Sequence, residues 1–169
     1  MFNRVLATLD GSKAAEVVLE QVERLGPGVK VTLLSVGEPV HATSEIPHPL
    51  YTAGAPAPGG VVAVPGARTV ETRDQAFQEA RDHLTGYLQG KAAELRAKGL
   101  DVDVAVRFGE PVEEILAAAR EKDVDLILMA THGRSALARV AFGSVASRVV
   151  GSGVRPVLLV RPTEFKGGE

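Results

Sequence analysis

The stretch "ATHGRSALARVAFGSV", residues 130–145, concentrates the chain's candidates for chemistry. An apolar run ends at Ala130, and Thr131-His132-Gly133-Arg134 follows. Nine residues separate Gly133 from Gly143, which Ser144 follows at once. Gly133 has no Cβ, so the backbone can approach a ligand closely there. At the start of a helix, Gly143-Ser144-Val145 would present three successive N–H groups and a hydroxyl, and a helix N-terminus favours negative charge. Arg134 and Arg139 add positive charge. A polyphosphate suits this set. The same glycines also suit a plain turn at 133 and tight helix packing at 143. The stretch is neither a Walker loop nor a dinucleotide fingerprint, because neither glycine spacing is present.

Other reactive side chains are sparse. Asp10, at the end of an apolar run, is a candidate ligand group, with helix capping the alternative, a role for which Ser12 competes. His132 titrates in the right range for acid–base work, but no partner can be assigned to it, and orienting its loop explains it better. His41 and His48 do not have a metal-ligand spacing, and His83 falls on the polar face of a helix. Glu110, Glu113 and Glu114 suit a helix N-terminus. No catalytic residue is assigned, and a metal site is left open.

The elements that must hold these residues alternate in type. "RVLATLD" (4–10) reads as a buried strand. A helix capped by Ser12 follows, with Ala15, Val18, Leu19, Val22 and Leu25 on one face and Gly26-Pro27 ending it. "VKVTLLSV" (29–36) is a second strand. Residues 37–70 hold six of the ten prolines and no periodicity, as expected of a functional lid or a spacer. A long helix spans about Val70 to Lys98 and stops at Gly99. Strand 101–108, a helix opened by Pro111, strand 124–130, a helix to about Val150 and strand 155–162 complete the order. Strands apolar on both faces, alternating with helices, make an α/β fold: a parallel five-stranded sheet with helices on both faces. Ligands of such sheets sit beyond the C-terminal strand ends.

Composition narrows the class. A chain of 169 residues is most simply one domain, and it can bury roughly 70% of its unfolded surface without a disulfide or metal. A net charge of −2 argues against nucleic acid and against a polybasic membrane patch. With no cysteine, thiolate metal sites and a cysteine nucleophile are excluded. The N-terminal apolar run is too short for a signal segment, and no stretch has the length of a membrane span, so a cytoplasmic location is expected.

The spacing around Gly133 and Gly143-Ser144 resembles the ATP-binding pattern of the universal stress protein family: Gly, two residues, Gly, nine residues, Gly, then Ser or Thr. The match carries Ala130 where the family has its first glycine. "ATLDGS" and "RPVLLVRP" agree with the family's first and last strands. The likeness extends over the chain outside 37–70. It implies strand order 3-2-1-4-5, as in the wider adenine-nucleotide α-hydrolase-like group. It implies ATP, with Mg²⁺ as a companion ion. Asp10 would then contact adenosine, Val36 and Gly37 would offer backbone to adenine, and Gly133, Gly143 and Ser144 would hold the phosphates. Arg134 and Val145 would lie close by. The first-position Ala130 puts one methyl group against the ribose or phosphate. The family also has a branch without the pattern that does not bind ATP.

The implied order leaves "PVLLV" at a sheet edge, where pairing with a second copy through Pro156 to Val160 would form a homodimer. The expectation is an ATP-binding regulator or stress-protective factor. Two alternatives stand beside it: a slow ATPase using the same site, and a nucleotide-free interaction module.

Overall fold

The computed structural model describes residues 2–38, 73–131 and 142–161. Strands β1 (Arg4–Thr8), β2 (Lys30–Gly37), β3 (Asp101–Phe108), β4 (Leu126–Ala130) and β5 (Val157–Val160) alternate with helices α1 (Lys13–Leu25), α2 (Arg73–Ala97), α3 (Pro111–Glu121) and α4 (Ser144–Gly151). All strand pairs are parallel, and the sheet runs β3-β2-β1-β4-β5. The α/β class and the implied strand order are both observed.

Strand alternation builds two cores. Val5, Ala7, Val31, Leu33 and Leu128 face α1 and α2, where Val18, Val22, Leu88 and Leu95 meet them. Leu6, Leu34, Ile127 and Met129 face α3 and α4, against Ile115, Ala118, Ala146 and Val149. A strand covered on both faces has to be apolar at every position, and "LILM" in β4 is fully buried.

The helix boundaries follow their caps. Ser12 Oγ accepts the Ala15 N–H at 3.1 Å and opens α1, and Gly26, at φ 78°, ends it. Glu110 accepts the Glu113 N–H at 3.0 Å ahead of Pro111 and opens α3. Several strands are shorter than their apolar runs. β1 stops at Thr8, although the Leu9 N–H still reaches Leu34 O at 2.8 Å, because Asp10 turns the chain into the α1 cap. β4 starts at Leu126, because the Asp125 carboxylate turns back to the N–H groups of Asn3 and Arg4. α2 has 25 residues, about 37 Å at 1.5 Å each, whereas an eight-residue strand spans about 26 Å. Its first turns therefore outrun the sheet. Leu88, Ala92 and Leu95 are buried, while Ala76, Phe77, Ala80 and Leu84 are only half-buried.

Candidate functional site

A cleft opens at the C-terminal ends of β1 and β4, where the strand order reverses and ligands of such sheets collect. Its floor is Thr8, Leu9 and Asp10 from β1 and its turn, with Met129, Ala130 and Thr131 from β4. Leu34 and Val36 line it from β2, and Ala15 from α1. Pro111 and Ile115 of α3 and Gly143, Val145 and Ala146 of α4 close the other side. Its volume of about 170 Å³ is far above the roughly 10–15 Å³ that a single water needs.

Asp10 is both a cleft residue and a brace. Its Oδ1 accepts the N–H of Ser12 at 2.9 Å and the Ser12 hydroxyl at 2.6 Å. Ser12 is the cap, and Asp10 holds the cap in place. Nearby, the Tyr87 hydroxyl donates to Glu16 Oε1 at 3.2 Å. Burial, then the charges of Glu16 and Asp10, push the Tyr87 phenol well above its ordinary pKa, so it remains a donor.

Val36 lies in the cleft wall; Gly37 does not. A Cβ on Gly37 would stand 2.6 Å from Phe108 Cε1, and the Gly37 carbonyl accepts the Gly109 N–H at 3.2 Å. This glycine exists so that an aromatic ring can lie on the strand. Ala130 lines the cleft, and its methyl group packs with the α1–α2 core. The extra carbon therefore lies on the α1 side of the sheet, opposite α3 and α4.

Gly143 is the N-cap of α4, and among the described residues no side chain caps that helix. Its N–H donates to Thr131 O at 2.6 Å, and a Cβ there would come within 3.0 Å of that oxygen. The expected set of three amides from Gly143 to Val145 is corrected accordingly. The Gly143 amide is already engaged, and the first intrahelical bond is Ser147 N–H to Gly143 O. The amides that lack an intrahelical acceptor are those of Ser144, Val145 and Ala146. Val145 and Ala146 line the cleft, and Ser144 is exposed at the head of the helix. The packing explanation of Gly143 is thus observed in its contact with Thr131 O. Gly133, Arg134, Arg139 and His132 lie outside the described residues, as does nearly all of the 37–70 insert.

The three helix starts around the cleft differ. Side chains close α1 and α3, through Ser12 and Glu110, whereas among the described residues no side chain closes α4. Glu110 is held below the usual carboxylate range by the Glu113 N–H and by Arg148, whose guanidinium lies 2.6 Å from it. Sequence reading missed Thr8, Leu34, Met129, Thr131 and the α3 wall. Thr8, Met129 and Thr131 sit at or next to strand ends, a usable signal once the strands are ordered, whereas Leu34 lies within β2. Pro111 and Ile115 read as ordinary helix residues until packing puts them at the rim. Among the described residues no group of three or more His, Asp or Glu side chains is gathered to hold a metal.

The Universal stress protein family model matches residues 1–161. The chain belongs to that family. Among universal stress proteins, YxiE of Bacillus subtilis is 33% identical over 164 residues, covering 95% of this chain and all of the relative. The solved structure of MJ0577, a universal stress protein of Methanocaldococcus jannaschii, superposes with a TM-score of 0.74 at 24% identity, covering 97% of this chain and 99% of that one. Two further universal stress protein structures hold nucleotides. One is in complex with cAMP (TM-score 0.62, 16% identity, 96% and 98% covered), and one from Arabidopsis thaliana has AMP bound (TM-score 0.59, 14% identity, 99% and 97% covered). At these identities the structures share the universal stress protein fold with this chain.

Proposed function

We propose that this universal stress protein binds an adenine nucleotide in the cleft, ATP foremost, and acts as a nucleotide-dependent regulator or stress-protective factor. The observation that carries the reading is the N-terminus of α4, which no described side chain caps, set beside a largely apolar cleft at the reversal point of the sheet. The Ser144–Ala146 amides suit phosphate oxygens, and the apolar walls at Val36, Ile115 and Met129 suit a flat base. Bound cAMP and AMP in two structures of this fold support that class of ligand. Asp10 contacts the adenosine part, Val36 flanks adenine, and Gly133, Arg134, Gly143, Ser144 and Val145 surround the phosphates, while Gly37 stands under the Phe108 ring outside the cleft. Mg²⁺ arrives on the phosphates with its own waters. The one carboxylate on the described cleft wall, Asp10, braces Ser12, which favours binding over hydrolysis.

The probe is Ser144→Glu. A carboxylate in the first turn suits the α4 dipole, so the fold is kept, while the charge repels phosphate. A side chain at 143 would instead press on Thr131 O and confuse folding with binding. Calorimetric titration of ATP with Mg²⁺ into nucleotide-stripped protein is expected to show binding that Ser144→Glu weakens at least tenfold with Tm unchanged or raised. ADP, AMP and cAMP as competitors rank the phosphate dependence. Wild-type protein that binds none of the four rejects the reading.

We further infer a single-domain, cytoplasmic protein that forms a homodimer through β5, with nucleic acid and membranes not among its partners. β5 is an edge strand with Leu158 43% exposed, and antiparallel pairing with a second copy would cover it with two-fold symmetry. Among the described residues no helix is long and apolar enough to cross a membrane.

A further inference from the structure

The sheet has two edges, and they are not alike. β3 has eight residues and β5 has four. On length alone β3 is the better template for another chain. The Gly109 N–H bonds inward to Gly37 O in the parallel register, so the odd-numbered residues of β3 turn their backbone groups toward β2. Val102, Val104, Val106 and Phe108 turn theirs outward. On β5 the Ile127 and Thr131 N–H groups bond to Pro156 O and Val160 O, so Val157, Leu159 and Arg161 face outward. Among the described residues no strand pairs with either outer side.

The outer side of β3 is nevertheless occupied. Arg96, in the last turn of α2, places its guanidinium on Val102 O, with Nε at 2.9 Å and a terminal nitrogen at 2.5 Å. Both lone pairs of that carbonyl are then engaged. The other terminal nitrogen donates to Gln89 Oε1 at 3.3 Å, which fixes the fork in this pose. An added strand would lie about 4.7–4.9 Å beyond β3, in the space that this cation fills. Beside it, Asp103 is paired with Lys30 at 3.1 Å, which adds charge to the same end of the edge. No comparable side chain covers β5 among the described residues, and Leu158 stands exposed there.

We propose that Arg96 closes the β3 edge and thereby confines self-association of this chain to one edge. A subunit with two open edges adds copies without limit, because each newcomer offers its second edge. A subunit with one open edge stops at two. This inference rests on the β5 pairing proposed above only for the count of two. The closing of β3 stands on Arg96 and Val102 themselves.

The test is sedimentation velocity over a range of protein concentrations on wild type, Arg96→Ala, Leu158→Lys and the double variant, with thermal unfolding of each. Arg96 is exposed, so its loss is expected to leave Tm nearly unchanged. Expected results are a dimer for wild type, concentration-dependent growth beyond the dimer for Arg96→Ala, a monomer for Leu158→Lys, and a dimer again for the double variant, now joined through β3. Should Arg96→Ala unfold, Arg96→Lys, which keeps the charge but offers the carbonyl a single nitrogen, is expected to grow beyond the dimer more weakly. Folded Arg96→Ala that sediments as wild type overturns the proposal. Unlimited growth of the double variant also overturns it, because association would then not be edge to edge. A monomeric wild type whose Arg96→Ala form stops at a dimer rejects the β5 pairing and upholds the closing of β3.

Discussion

Glu110 shows what one side chain does at the rim of the cleft. It caps α3 through the Glu113 N–H and meets Arg148 of α4, and these two contacts hold its pKa below the ordinary 4.5. A carboxylate with a depressed folded pKa adds stability that is fully present above its unfolded value and is lost as pH falls through the folded one. Wild type should therefore lose stability more steeply than Glu110→Gln as pH falls through the carboxylate range. The two should converge in acid, with the variant the less stable at neutral pH. Urea midpoints along a pH series check this. At this scale the sequence was informative about residue types and weaker about their reasons. Asp10, Gly143 and Val145 are found at the cleft, yet Gly143 is required because Thr131 O lies against it, a contact between residues twelve positions apart that no local pattern encodes. The family resemblance implies an adenine contact for Gly37, whereas its evident constraint in the fold is the Phe108 ring.

Among the elements, α2 departs furthest from an ideal helix. Gly86 and Gly90 sit one turn apart on its exposed side, and a Cβ at either would meet nothing within 4 Å. Each lowers helix stability by about 1 kcal/mol relative to alanine. Gly86→Ala and Gly90→Ala should each raise Tm by roughly 2–4 °C for a chain of this size, with additive effects in calorimetry. The helical spacing over 76–95 was legible, and Gly99 marked the stop at φ 85°. How deep each turn lies was not. Leu88 and Leu95 reach the core and Phe77 does not, because burial depends on how far the helix outruns a sheet whose strands come from other parts of the chain. Capping was the most local signal, and Ser12 and the Glu110–Pro111 pair were accordingly the easiest boundaries to read.

For the molecule as a whole, alternating elements and two-sided apolar strands pointed to a parallel sheet, while the order of the strands entered through family resemblance. Periodicity identifies elements, but order is decided by which crossovers pack, a property of the assembled layers. A ligand bound only by the folded chain adds stability to all of it. At about a hundredfold over its Kd, ATP should contribute about 2.7 kcal/mol. Thermal scans should then show wild-type Tm rising by roughly 5–11 °C, with a much smaller rise for Ser144→Glu. One feature of the upper rim bears on the use of this protein as a scaffold. The chain leaves the sheet after Gly37 and re-enters the described fold as α2 at Arg73, and both ends rest on the same ring. Phe108 lies over Gly37 and packs against Phe77 in a tilted pair, with 4.6 Å between ring centroids and 48° between ring planes. With its two ends anchored on one aromatic side chain, this junction is a natural splice point. A guest domain whose own termini lie close together could be carried between Glu38 and Arg73 without changing the path of either β2 or α2.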